Sequence, residues 1–263
     1  MRRLAVLGHP VGHSRSPAMH GAALAELGLA GEWSYEAIDV APDELETRVR
    51  AMAGEGFAGA NVTVPHKGAA LSLADSLSET AREIGASNTL SFEGGEIRAD
   101  NTDAQGLLDA LPGSPESLQA LVLGAGGAAR AAVWALVREG AEVAVWNRTA
   151  LRAENLCREL GGEPTATPDA RDYELIVNTT AVGLRGEDPF AELPLRPDAF
   201  GAAQTVVDLV YGDRPSSLLA AAAAVGATVV DGIEILVRQG ALSLRIWTGH
   251  EPSLDAMRAA ARA

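Results

Sequence analysis

The sequence predicts an α/β protein. Short apolar runs alternate with amphipathic segments along most of the chain, the pattern of strands and helices sharing one sheet-based architecture. One run, Leu121-Val122-Leu123, leads straight into a glycine-rich turn and an alanine-rich helical segment. Hydrophobic residues make up 47% of 263 positions and charged residues 21%, enough for one large core or two smaller ones.

The elements follow in order. Leu4-Ala5-Val6-Leu7-Gly8 reads as a buried strand. Ser16-Pro17 opens a helix, with Ser suited to the N-cap and Pro to the first turn, and Gly28 ends it. A strand is expected at 35–40 and a helix from Pro42 to about Ala53. Residues 61–64 read as a third strand halted by Pro65, and Gly94-Gly95 turns a hairpin between 89–92 and 96–98. The loop-rich stretch 111–117 fits either a domain linker or a loop before the strand at 118–123. Alternation resumes from Val143 to about Val230, and Ala220 to Ala224 forms the middle of an Ala-rich helix ended by Gly226.

The net charge of −14 excludes nucleic acid and anionic lipid as partners drawn by the overall field. No apolar run is long enough to span a bilayer. The segment after Met1-Arg2-Arg3 is too short for a signal peptide, and a single cysteine, Cys157, forms no internal disulfide. A cytoplasmic protein with an inert packed thiol is the expectation. Lys67 is the only lysine; every other basic side chain is arginine. Arginine does not release a proton near neutral pH, whereas lysine can be tuned to do so. This marks Lys67 as a candidate for proton chemistry.

Gly124-Ala125-Gly126-Gly127-Ala128-Ala129 spells G-x-G-x-x-A between a strand and a helix. The first glycine allows a tight turn, the second lets backbone approach a pyrophosphate, and the small last residue packs helix on strand. The helix N-terminus then offers free N–H groups to phosphate. The next strand ends at Asn147-Arg148-Thr149, with Arg152 one turn on. An NAD-binding chain usually carries Asp or Glu there for the ribose hydroxyls. A neutral Asn with two guanidinium groups suits the 2′-phosphate of NADP instead.

Seven motifs in order resemble the shikimate dehydrogenase family, over essentially the whole chain. They are Gly8-His9-Pro10-Val11-Gly12-His13-Ser14-Arg15-Ser16-Pro17-Ala18-Met19-His20, Asn61-Val62-Thr63-Val64-Pro65-His66-Lys67, Gly85-Ala86-Ser87-Asn88-Thr89 and Asn101-Thr102-Asp103-Ala104-Gln105-Gly106. Then come the Gly124 turn with Asn147-Arg148-Thr149, Asp208-Leu209-Val210-Tyr211, and residues 232–240 from Gly232 to Gly240. The resemblance implies two domains: an N-terminal α/β substrate domain (1–103 with 236–263) and a Rossmann-type NADP-binding domain (104–235), with the C-terminal helices returning to the first. It implies reversible NADPH-dependent reduction of 3-dehydroshikimate to shikimate, no metal, and a soluble protein for which a homodimer stays open. Quinate or aminoshikimate dehydrogenases of the same superfamily are the alternatives, followed by a non-catalytic NADP-binding regulator.

Carried over residue by residue, the resemblance makes Lys67 and Asp103 the catalytic pair. Ser14 and Ser16 bind the carboxylate, and Asn61, Thr63, Asn88, Tyr211 and Gln239 bind ring hydroxyls and carboxylate. Gly124, Ala125, Gly126, Gly127, Ala128, Asn147, Arg148, Thr149, Arg152, Thr179, Ala181, Leu209 and Gly232 line the cofactor. Asp103 also suits a helix N-cap, as does Ser16. The histidines at 9, 13 and 20 lack a second ligand cluster and read as loop and helix polars. Gly21, Ala181, Asp213 and Ile235 depart from the commonest family pattern, at positions where Asn, Ser, Pro and Met are frequent.

Overall fold

The computed structural model describes residues 1–263 and divides into two compact units, Met1–Gly106 with Leu236–Ala263, and Leu107–Ile235. The first unit contains β1 (Arg2–Gly8), α1 (Ser16–Glu26), β2 (Trp33–Asp39), α2 (Leu45–Gly54) and β3 (Phe57–Val62). It continues with α3 (Lys67–Ser72), β4 (Ser76–Leu77), α4 (Glu79–Ile84), β5 (Thr89–Glu93), β6 (Glu96–Asp100) and the start of α5 (Asp103–Ala110). Its sheet runs in the order β2-β1-β3-β5-β6-β4, parallel through β1–β3 and antiparallel at β3–β5 and β5–β6.

The second unit contains β7 (Gln119–Leu123), α6 (Gly127–Arg138), β8 (Glu142–Trp146), α7 (Ala150–Leu160), β9 (Glu163–Pro164), β10 (Leu175–Asn178), α8 (Pro189–Glu192), β11 (Thr205–Asp208), α9 (Ser217–Ala224) and β12 (Thr228–Val230). The chain then enters α10 (Gly232–Thr248) and ends with α11 (Leu254–Arg262). All pairs in the second sheet are parallel, in the order β12-β11-β10-β7-β8-β9. Both faces are covered, as a parallel sheet requires. Ala120, Val122 and Val177 enter one buried cluster; Leu121, Leu123 and Ile176 enter another. The strand order reverses between β7 and β10, the switch point where such sheets place ligands.

In the first unit α2 buries Leu45, Val49 and Met52 against Ala5, Leu7, Ala60 and Leu90. The C-terminal helices complete the same unit. A Cβ on Gly59 would lie 2.1 Å from Nε1 of Trp247, so the strand is bare there to admit the indole. The Trp247 Nε1–H then donates to the Leu90 carbonyl at 3.0 Å. Cys157 is buried in α7, and desolvation pushes its thiol up to about 11, which keeps it inert.

Several boundaries differ from the sequence reading. The third strand begins at Phe57 and ends at Val62. Ala58-Gly59-Ala60 have weak strand preference, and Gly59 is bare where Trp247 packs. Beyond Val62 the chain turns, with the His66 N–H bonded to the Thr63 carbonyl at 2.8 Å. The helix expected from Pro42 begins at Leu45, after a turn in which the Glu44 N–H meets the Ala41 carbonyl. Ser16 lies inside α1 and caps nothing; Ser14 Oγ accepts the Ser16 N–H at 3.3 Å instead.

Candidate active site

The carboxyl ends of β1 and β3, the start of β5 and the end of β6 meet at one edge of the first sheet. Register places Asn61 opposite Thr89, and Thr89 opposite Asp100. Lys67 opens α3, a short helix fixed at both sides of its first turn. The His66 ring Nε2 bonds with the Val40 carbonyl at 2.8 Å, and the Lys67 carbonyl accepts the Ser87 N–H at 2.9 Å. Lys67 Nζ therefore reaches Asp103 Oδ2 at 2.5 Å, with both side chains largely shielded from water.

Asp103 is free for this pairing because another residue caps α5. Asn101 Oδ1 accepts the N–H groups of Asp103 and Ala104 at 3.1 and 3.3 Å. The other Asp103 oxygen accepts from Asn88 Nδ2 at 2.9 Å. Asn88 cannot flip, since its Oδ1 accepts the Thr102 N–H at 2.8 Å. The same Nδ2 also faces Thr102 Oγ1 at 2.8 Å and Gln239 Oε1 at 3.0 Å. Gln239 comes from α10, which approaches α5 closely enough that a Cβ on Gly106 would lie 2.8 Å from the Gln239 nitrogen. Lys67, Asn88, Asp103 and Gln239 thus form one chain of hydrogen bonds, with an ammonium held against a carboxylate. Such a pair can donate a hydrogen bond, or a proton, to an oxygen gaining negative charge.

In the second unit the turn after β7 lies beside the residues that follow β10. Gly124 has φ +114, and a Cβ there would lie 2.6 Å from Thr179 Oγ1. Thr179 in turn donates its hydroxyl to the Leu123 carbonyl at 2.7 Å. The first turn of α6 carries neither a side-chain cap nor an acidic residue, and the same holds for α7. Two helix N-termini with free N–H groups suit anions. Arg148 and Arg152 stand at the start of α7 and make no ion pair, whereas Arg130 is bound to Glu159 at 2.7 Å. Gly232 opens α10 against Leu209, whose carbonyl lies 2.4 Å from where a Cβ would be. These features fit a dinucleotide bearing an additional phosphate.

Residues 6–90 match the shikimate dehydrogenase substrate binding domain, 108–182 the shikimate / quinate 5-dehydrogenase family, and 232–262 the shikimate 5′-dehydrogenase C-terminal domain. A protein of Thermus thermophilus named shikimate dehydrogenase (NADP(+)) is 47% identical over 264 residues, covering 100% of this chain and 98% of its own. The chain belongs to the shikimate dehydrogenase family. A relative of the same name from Anaeromyxobacter dehalogenans is 46% identical over 269 residues, covering 97% of this chain and 94% of its own. The crystal structure of the Thermus thermophilus enzyme in complex with NADP(H) and shikimate superimposes with a TM-score of 0.90 at 46% identity, covering 100% of this chain and 99% of that one.

In the first unit, hydrogen bonds join Asn61, Lys67, Asn88, Asp103 and Gln239 directly or through buried hydroxyls. Ser14 and Ser16 stand on the loop after β1 and at the start of α1, and Thr63 follows β3 with its methyl 2.5 Å from where a Gly8 Cβ would be. Tyr211 belongs to the second unit, just after β11.

Ser243 carries no motif or spacing that marks it in the sequence. It is fully buried, accepts from Asn61 Nδ2 at 2.9 Å, meets Thr89 and Thr102 Oγ1 at 2.8 and 3.0 Å, and donates to the Gln239 carbonyl. Ser243→Ala takes one partner from each of those groups, while Asn61, Thr89 and Thr102 keep others on Asn88; it is expected to cost about 0.5–1.5 kcal/mol of stability, measured as a shift in the urea midpoint.

His20 is fully buried and stacks on Tyr35, with ring centroids 4.1 Å apart. Burial pushes its pKa down to about 3, against a smaller opposing effect of Asn61. The fold therefore holds the neutral ring. Its contribution is complete above the unfolded value of about 6.5 and is lost progressively as pH falls toward 3. Urea titrations should show a loss of about 2–3 kcal/mol from this group by pH 4.5. The loss should vanish in His20→Phe; an unchanged pH slope in that variant would show that His20 is not the group titrating.

Proposed function

We propose that this protein reversibly reduces 3-dehydroshikimate to shikimate with NADPH. The observation that carries the mechanism is the shielded Lys67–Asp103 pair, locked from behind by Asn88. We assign the substrate to the unit of residues 1–106 and 236–263, and NADP to residues 107–235. Bound NADPH supplies the hydride to the ring carbonyl carbon. Lys67 donates a hydrogen bond to the oxygen of that carbonyl and passes it a proton as the alkoxide forms. Asp103 keeps the ammonium aimed, and holds the neighbouring hydroxyl.

Ser14 and Ser16 offer hydroxyl donors for the carboxylate, and Asn61, Thr63, Asn88, Tyr211 and Gln239 supply neutral polar groups for the ring. On the cofactor side Gly124, Ala125, Gly126, Gly127 and Ala128 admit the pyrophosphate. Asn147, Arg148, Thr149 and Arg152 hold the 2′-phosphate, while Thr179, Ala181, Leu209 and Gly232 border the nicotinamide half. No helix is long and apolar enough to cross a membrane, and we place the enzyme in the cytoplasm.

The test is an absorbance assay of NADPH formation with shikimate or quinate, each offered NADP or NAD. Turnover is expected with shikimate and NADP. Turnover with quinate alone, or none with either substrate, would overturn the assignment.

A further inference from the structure

The loop between β1 and α1 carries Ser14, and one exposed carboxylate holds its entry. Asp39, the last residue of β2, sits beside Gly8 in the sheet register. Its two oxygens bracket Pro10: Oδ1 meets the His9 ring Nδ1 at 2.6 Å, and Oδ2 accepts the Val11 N–H at 3.0 Å. The Val11 carbonyl then accepts the Ser14 N–H at 2.9 Å, and Ser14 Oγ accepts the N–H of Ser16. Every link from Asp39 to the two serines is thus a hydrogen bond on or beside the backbone. The other side of the loop entry is fixed by the His9 N–H on the Val64 carbonyl at 3.0 Å and by the tight fit of Gly8 against Thr63.

We propose that Asp39 is a positioning residue for substrate carboxylate binding, acting through Val11 and Ser14 without touching the substrate. This rests on the reading of Ser14 as a carboxylate donor. The serine hydroxyls are short, so their placement depends on the backbone that carries them, and a displacement of about 1 Å in such a site is costly. Asp39 bonds to His9 and Val11 and to no member of the Lys67–Asp103–Asn88 cluster, so its loss should weaken binding and spare the chemical step. The favourable interaction with His9 and Val11 holds the Asp39 carboxyl below its ordinary range, so the bridge stays charged throughout the working pH range.

The experiment compares Asp39→Ala, Asp39→Asn, Ser14→Ala and the double variant Asp39→Ala/Ser14→Ala in steady-state assays. Asp39→Ala should raise KM for shikimate about tenfold, with kcat within about twofold and KM for NADP unchanged. Asp39→Asn can still accept from Val11 and donate to His9, and should stay near the wild-type KM. On the Ser14→Ala background, Asp39→Ala should add little. If Ser14→Ala raises KM and Asp39→Ala does not, or if the two effects multiply, the positioning role is overturned while the carboxylate site stands. If Asp39→Asn is as impaired as Asp39→Ala, charge and not the hydrogen-bonded bridge is responsible, and the proposal fails. If Ser14→Ala itself leaves KM unchanged, the carboxylate reading falls and the proposal with it.

Discussion

Replacing Lys67 with alanine is expected to lower kcat by about three orders of magnitude while shikimate still binds within a few-fold of its normal affinity. Lys67 is the only side chain in the hydrogen-bonded cluster able to hand over a proton as a cation. Asp103 accepts from it, and Asn88 and Gln239 are neutral amides. Removing the ammonium therefore deletes both a donor to the developing alkoxide and the source of its proton. Lys67→Arg should restore the charge and not the rate, because a guanidinium does not deprotonate in the working range. Stopped-flow or steady-state turnover, paired with calorimetric titration of shikimate, separates the two effects. A folded Lys67→Ala protein with undiminished kcat would remove Lys67 from the chemistry.

The second large effect concerns the cofactor. Converting both Arg148 and Arg152 to alanine should raise KM for NADP by about a hundredfold and leave KM for NAD within about twofold. Both arginines stand at the positive end of α7, a poor place for a cation unless an anion joins it, and neither is neutralised by a protein carboxylate. The effect should shrink as ionic strength rises, since both groups face solvent. Equal loss for NADP and NAD would show that the arginines act on a feature the two cofactors share.

The elements and residues legible in the sequence are those that leave a local mark. Gly124 must adopt positive φ against Thr179, and the glycine spacing records this. The hairpin at Gly94-Gly95 is marked in the same way, with both glycines at positive φ. Asp103 and Asn88 were visible through motif resemblance, not through spacing, because their contact depends on the antiparallel register of β5 and β6.

Where a helix has fewer than two full turns, or a strand no more than one repeat, no pattern can announce it. The helices α3 and α4 have six residues each, and β4 and β9 have two. Ser243 and Tyr35 were invisible for another reason. Ser243 reads as one serine on an amphipathic helix, and Tyr35 as one aromatic in a strand. Their importance arises from Asn61, whose amide donates to one and accepts from the other, the latter at 2.8 Å, across 182 and 26 residues of chain respectively. Asp39 likewise looks like an ordinary polar strand end until the fold brings His9 and Val11 to it.

The part of α10 that supplies Gln239, Ser243 and Trp247 is synthesised after the whole of residues 107–235. During translation the first sheet must therefore wait with Gly59 uncovered and Asn61 and Asn88 short of partners, while the intervening unit already has every residue its own core requires. On the ribosome the nascent chain can gather residues 107–235 early and finish the other unit late. The order of the gene thus leaves Asn61 without Ser243 and Asn88 without Gln239 until the last stretch of chain arrives, although Lys67, Asn88 and Asp103 are all made early.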